Sequence, residues 1–139
     1  MRVLGIDYGQ KRIGLALSDP SGTISRPFRT IEFSSLNSLV EELQHVLDDE
    51  DVGLIVVGLP LSLRGGIGPK AEEVLRFVDS LRRALRIPIE TWDERLSTVR
   101  AERTLREAEV PRRIRKGKVD ALAAQMFLQV YLNSKRIES

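Results

Sequence analysis

The stretch VLGIDYGQKRIGLALSD, residues 3–19, ends an apolar run on a carboxylate, Asp7. Two further places put acids at the end or start of apolar segments: Asp93 and Glu94 after IPIETW, and Asp120 in KVDALAAQMFLQVYL. An ionised carboxylate at the end of a buried strand is costly unless it is paired, hydrogen-bonded or bound to a metal. Each acid alone has an ordinary explanation as a turn cap or a partner for a helix dipole. Their common position at element ends points to one shared site. Two carboxylates 4 Å apart repel by about 4 kcal/mol at an effective dielectric near 20, and a divalent cation removes that repulsion. The chain has no cysteine and one histidine, His45, which falls among acids off the apolar stripe of its segment. A zinc–thiolate centre is therefore excluded, and acid–base chemistry by histidine is not expected. Oxygen ligands of this kind favour Mg²⁺ or Mn²⁺. Used in pairs, such ions activate water and stabilise the leaving oxygen in phosphodiester hydrolysis. The candidate ligands are Asp7, Asp120 and either Glu94 or Asp93. Strand alternation puts Asp93 and Glu94 on opposite faces, so one can face the site while the other caps a turn or pairs with Arg95.

Cations gather around the same positions. Lys11 and Arg12 occupy the turn beyond Asp7, Arg95 follows the acidic pair as a further candidate phosphate clamp, and PRRIRKGK, with Arg115, Lys116 and Lys118, ends just before Asp120. Positive charge beside a metal–carboxylate site can hold the phosphates that flank a scissile bond. The loop GLPLSLRGGIGPK adds Arg64 and Lys70, and its Pro69 suits the first position of a helix. It is not a nucleotide phosphate loop, because Lys70 is followed by Ala71 where a Ser or Thr would be needed. Trp92 precedes the acidic pair and could stack on a base, although a core position is the ordinary reading there.

The elements that must position these residues follow from periodicity. Residues 2–8 and 13–17 read as strands joined by a turn at Gly9, and 23–33 as a third strand interrupted near Pro27. Leu36, Leu39, Val40, Leu43, Val46 and Leu47 keep helical spacing after Ser34 or Ser35 as N-cap. GLIVVGL, residues 53–59, is the uniformly apolar run of a central parallel strand. An amphipathic helix around Val74–Leu85, a fifth strand at IPIETW, a helix over 97–109, a basic loop over 111–118 and a last helix over 118–132 complete the order. In that last helix Val119, Leu122, Ala123, Met126 and Val130 form the expected apolar stripe. Asp120 lies in the first turn on a side with Ala123, Ala124 and Phe127, whose small alanines would let the helix lie close to the sheet and bring Asp120 near the first strand. The expected fold is a five-stranded mixed sheet, three antiparallel strands then two parallel, flanked by helices. That is the ribonuclease H-like architecture.

The chain has 139 residues, which suggests one domain over 1–139. With 42% hydrophobic and 30% charged residues it belongs among globular rather than disordered chains. Net charge is +2, so any polyanion contact must come from the local clusters rather than the total. No leader segment and no apolar run near 20 residues is present, so the expected setting is cytoplasmic, with no membrane partner.

GIDYGQKRIGLALSD, IVVGLPLSLRGGIGPKAEEV, WDERLST and VDALAAQMFLQVYL together closely resemble the YqgF family, in the same order and across nearly the whole chain. That resemblance implies a ribonuclease H-like nuclease with a divalent metal cofactor. It implies trimming of the 5′ end of precursor 16S ribosomal RNA first, and resolution of four-way DNA junctions second. A junction substrate would need a homodimer with two symmetric sites, and a monomer is the alternative state. The family's candidate catalytic acids fall on Asp7, the Asp93–Glu94 pair and Asp120. Two departures from related junction resolvases stand out. The fourth strand, LIVVGLPL, has no acid, and residues 111–131 contain only Asp120. The opening is also similar to the phosphate loop of actin-like ATPases, but those need two such domains around a cleft. A rival of another class is a non-catalytic nucleic-acid adaptor that keeps the fold and its basic rim.

Overall fold

The structure is a computed structural model that describes residues 1–62, 64–96 and 112–138, without the side chains of 96, 112–119 and 136–138. The helix expected over 97–109 lies outside the described residues.

Three strands open the chain, β1 (Arg2–Asp7), β2 (Arg12–Ser18) and β3 (Ser25–Glu32), and helix α1 (Leu36–Asp49) follows. Then come β4 (Val52–Leu59), α2 (Pro69–Ala84), β5 (Ile89–Asp93), a 3₁₀ turn at Glu94–Leu96, and the long helix α3 (Arg112–Glu138). The strands form one sheet in the order β3-β2-β1-β4-β5. β1 pairs antiparallel with β2 and parallel with β4, β2 pairs antiparallel with β3, and β4 pairs parallel with β5. This is the expected sheet. β1 is central, which explains why its residues are apolar on both faces. The interruption expected near Pro27 is a bulge: Leu15 pairs with Arg29 but Ala16 pairs with Pro27. The extra residue, Phe28, absorbs the register shift on an edge strand, where proline costs no ladder bond.

One face of the sheet packs on α1 and α2 through Leu4, Ile6, Ile13, Leu15, Leu43, Ile55, Val57, Val78 and Leu81. The other packs on α3 through Val3, Ala16, Val56, Ala124, Phe127 and Leu128. Ser35 caps α1 by accepting from the Ser38 amide at 3.1 Å, and Pro69 opens α2. Trp92 belongs to the second core and meets Tyr131 edge to face at 5.4 Å, so it is a packing residue here.

Two expectations about α3 need correction. The basic segment is not a loop but the start of the helix, which begins at Arg112. Arginine, lysine and isoleucine are all competent in a helix, and one glycine does not stop it. Asp120 is therefore in the third turn rather than the first. The buried stripe also differs from Val119, Leu122, Ala123, Met126 and Val130. Ala121, Ala124, Phe127, Leu128, Tyr131 and Leu132 are buried, with Ala123, whereas Leu122, Met126 and Val130 are partly exposed and the Val119 side chain lies outside the described residues. The alanine face wins because small side chains let the helix lie directly on the sheet, and the large residues further along then fill the wider gap. Glycines in the strands complete that contact. A Cβ on Gly5 would touch the Leu128 side chain at 3.1 Å, and one on Gly14 would fall on the main-chain carbonyl of Asp120.

Asp19 organises the turn between β2 and β3. Its carboxylate accepts from the Ser21 hydroxyl at 2.6 Å and from the amides of Thr23 and Ile24 at 2.8 and 3.0 Å. The Ser21 hydrogen bond, then those from Ile24 and Thr23, holds its pKa well below the usual carboxylate range.

Two outcomes follow. Gly14→Ala lowers unfolding free energy by about 2 kcal/mol in urea titration, because the methyl meets backbone rather than a movable side chain, while Gly68→Ala, with open space around its Cβ, changes it by less than about 0.5 kcal/mol. A depressed carboxylate stabilises the fold in full above its unfolded pKa of about 3.9, and that stability drains as pH falls through the folded value. Thermal midpoints measured below about pH 4 therefore fall less steeply for Asp19→Asn than for the wild type.

Candidate carboxylate site at the strand ends

Asp7 ends β1, the central strand, and is only 5% exposed. Its face of the sheet is fixed by alternation. Gly5, two residues earlier, abuts Leu128 of α3, so Asp7 also points to the α3 side. On one flank Asp7 pairs with Gly14 of β2. On the other, Ile6 pairs with Val57, so Gly58 of β4 lies beside Asp7 one step on. Each glycine makes room for another acid. The Asp120 backbone rests on Gly14, and Glu94 brings Oε1 to 2.5 Å from where a Gly58 Cβ would sit. Adjacent strands lie about 4.8 Å apart, so Gly14 and Gly58 span roughly 10 Å with Asp7 between them. Glu94 is itself 8% exposed.

Asp93 follows the other course. Arg95 donates to it from its backbone amide at 2.9 Å, from Nε at 3.1 Å and from Nη2 at 2.6 Å. That pairing raises the Arg95 pKa, through the side-chain hydrogen bond first. The guanidinium lies against the loop after β4, with Nη1 3.2 Å from a would-be Cβ on Gly65, whose φ of +86° is left-handed. So the alternation expected for Asp93 and Glu94 is present, with Glu94 on the face of Asp7 and Asp93 engaged by Arg95.

Asp120 reaches the rim of this site. Arg12 Nε donates to Asp120 Oδ2 at 3.1 Å, and the two side chains are 33% and 19% exposed. Among the described residues, no three His, Cys, Asp or Glu side chains stand together as a ready metal-binding group. The donor chemistry suits a hard divalent cation, since the acids on this face are carboxylates and two of them are buried. Arg12 engages Asp120 Oδ2, so Asp120 would join such an ion through its other oxygen or by releasing that pair.

The other basic candidates are spread around the site. Lys11 and Lys70 are exposed and line one cleft with Arg12 and Asp120, and Arg64 is exposed in the glycine-rich loop. Arg115, Lys116 and Lys118 lie in the first turns of α3, and their side chains are outside the described residues. His45 is exposed on α1, away from the acids. The residues that sequence reading passed over are Gly14 and Gly58. Their signal was present, because a glycine inside a strand marks close backbone approach.

A ribonuclease H-like sheet with buried acids at its carboxyl edge defines the class of protein. A family model described as RuvX, Holliday junction resolvase, matches residues 1–134, and the chain belongs to that family. A protein of Thermoanaerobacter pseudethanolicus, provisionally named a pre-16S rRNA nuclease, is 46% identical over 98% of this chain and 99% of its own length. One of Halothermothrix orenii with the same name is 44% identical over 96% and 95%. Among solved structures, Thermus thermophilus RuvC in complex with Holliday junction substrate aligns with a TM-score of 0.58 at 18% identity, over 98% of this chain and 96% of that one. The fowlpox virus Holliday junction resolvase aligns with a TM-score of 0.53 at 12% identity, over 96% and 99%. At these identities the structural likeness concerns the fold.

The clearance at Gly58 is testable. Gly58→Ala meets the movable end of Glu94 rather than backbone, so the variant stays folded, with unfolding free energy within about 1 kcal/mol of wild type. Its crystal structure shows the Glu94 carboxylate displaced from the Asp7 side.

Proposed function

We propose that this protein is a metal-dependent nuclease that hydrolyses phosphodiester bonds, with the 5′ end of precursor 16S ribosomal RNA as its first substrate. The observation that carries the proposal is the setting of Asp7, buried between two glycines that admit Glu94 on one side and Asp120 on the other. The names of relatives at 44–46% identity supply the substrate.

In this reading Asp7, Glu94 and Asp120 hold Mg²⁺ or Mn²⁺ in a site of the two-metal type. The cation supplies a lowered pKa for the attacking water and charge neutralisation at the attacking and leaving oxygens. The chain's own residues do the rest. Asp7 and Glu94 are fixed by the sheet, so their oxygens are oriented before substrate arrives. Arg12 turns from Asp120 to a backbone phosphate, which releases the third carboxylate as substrate docks. Lys11, Arg64 and Lys70 hold flanking phosphates from the β1–β2 turn and the loop before α2, and Arg115, Lys116 and Lys118 extend that track along α3. Arg95, seated on Asp93, acts as a fixed cation beside the glycine-rich loop. Asp93 is the positioning acid rather than a ligand. Attack in line on phosphorus then expels the 3′ oxygen. A cytoplasmic setting is consistent with such a substrate, and no described helix is long and apolar enough to cross a membrane.

The description of the matching family favours a second reading, cleavage of four-way DNA junctions. That reaction would require two copies of the chain to present their sites symmetrically.

The test is cleavage of labelled precursor 16S RNA and of a synthetic four-way junction with Mg²⁺ or Mn²⁺. Asp7→Asn and Glu94→Gln each lose at least about 100-fold in rate, more than loss of a supporting contact to a ligand costs, while retaining RNA binding. Asp93→Asn loses less than either. Equal rates for wild type and Asp7→Asn would rule out the assignment, and binding without cleavage of either substrate would favour the adaptor.

A further inference from the structure

Beside the acids lies a cleft of about 300 Å³ between the β1–β2 turn and the first turns of α2. Arg12 and Asp120 line it on the side of the carboxylate site, and Lys11 and Lys70 add positive charge. Gln10 and Glu73 also line it, with Gln10 Nε2 donating to Glu73 Oε1 at 3.0 Å. The Tyr8 ring, which also lines the cleft, is held by Phe77 at 4.5 Å and edge-on by Phe33 at 6.0 Å.

The volume is at the lower end of the range for small-ligand sites, room for one planar group. A duplex cannot enter it, since one groove of a duplex alone is about 12 Å wide. A duplex would touch the rim lysines and leave the polar wall unused, whereas an unpaired nucleotide can place its phosphate by the lysines and its base inside. Gln10 spends one of its two amide hydrogens on Glu73. The wall then offers one remaining N–H, the amide oxygen of Gln10 and the second carboxylate oxygen of Glu73. Between these two side chains acceptors outnumber donors. Among the bases, guanine presents the matching edge: two adjacent N–H donors and one carbonyl.

We propose that this cleft takes one unpaired nucleotide next to the scissile phosphate, and that Gln10 and Glu73 read its base in favour of guanine. The inference rests on the reading of the neighbouring acids as a nuclease site, and it makes single-stranded nucleic acid the substrate form.

Binding tests it separately from cleavage. Labelled uridine oligomers carrying one guanine, one adenine or no substitution are titrated in EDTA by fluorescence anisotropy, beside the same guanine strand in a duplex. The wild type binds the guanine strand about 10-fold more tightly than the all-uridine strand, as expected for one good base contact. Glu73→Gln cuts that preference to less than about 3-fold and leaves the uridine strand bound at least as well, because a repelling charge is gone. Lys70→Ala weakens all single strands alike. The duplex binds more weakly and does not respond to Glu73→Gln. Equal affinity for all strands, a guanine preference that survives Glu73→Gln, or a duplex bound as tightly as the single strand would each overturn the assignment. Guanine preference without any cleavage would support the cleft and refute the nuclease; cleavage without base preference would do the reverse.

Discussion

Asp7 carries a buried carboxylate to the end of the central strand of the sheet, and that charge is the constraint its surroundings must accommodate. A buried acid among other acids is unstable on its own. Compensation must come from hydrogen bonds, from a cation, or from both. The sheet does not move the neighbouring acids away. It makes room for them, by placing Gly14 and Gly58 on the two strands that flank Asp7. A side chain at Gly14 would push against the α3 backbone, and one at Gly58 would displace the Glu94 carboxylate. The fold thus keeps an electrostatically costly arrangement where simple packing would have been cheaper, which is the pattern of a functional site.

The same glycines tie the site to the core. α3 is seated on Gly5 and Gly14 through Leu128 and the Asp120 backbone, and its alanines let it lie flat against β1 and β2. Position along α3 therefore sets where Asp120 stands, and the Arg12–Asp120 pair marks the rim rather than the centre of the site. Arg12 belongs to the turn-proximal end of β2, directly after the two residues, Gln10 and Lys11, that line the cleft. One short connection thus carries Arg12, paired with Asp120, the cation Lys11 and the cleft-lining Gln10.

Much of this was legible in the sequence. Alternation and apolar runs identified all five strands, and the change of period at Leu36 identified α1. Strand parity put Asp93 and Glu94 on opposite faces, one toward the shared site and the other free to cap or to pair with Arg95, although parity could not say which acid took which role. That choice depends on Gly58 in a neighbouring strand, a contact distant in sequence. The start of α3 was misplaced because a dense run of cations looks like a solvated loop, while each of its residues is a competent helix former. The buried stripe of α3 was misread for a related reason. Leu122, Met126 and Val130 are more hydrophobic than alanine, but close approach to a glycine-bearing strand rewards the smaller side chain. The cleft between Gln10 and Glu73 joins residues far apart in the chain and had no local signal.

The central claim is that acids from β1, the turn after β5 and α3 converge on one metal site. Anomalous scattering from a crystal soaked in Mn²⁺ tests it most directly. The account predicts a peak on the α3 side of the sheet between Gly14 and Gly58, bound by oxygens of Asp7 and Glu94 and joined by Asp120 in place of Arg12. A crystal with no peak there, or with manganese held by Asp93 while Asp7 and Glu94 stay uncoordinated, would contradict it.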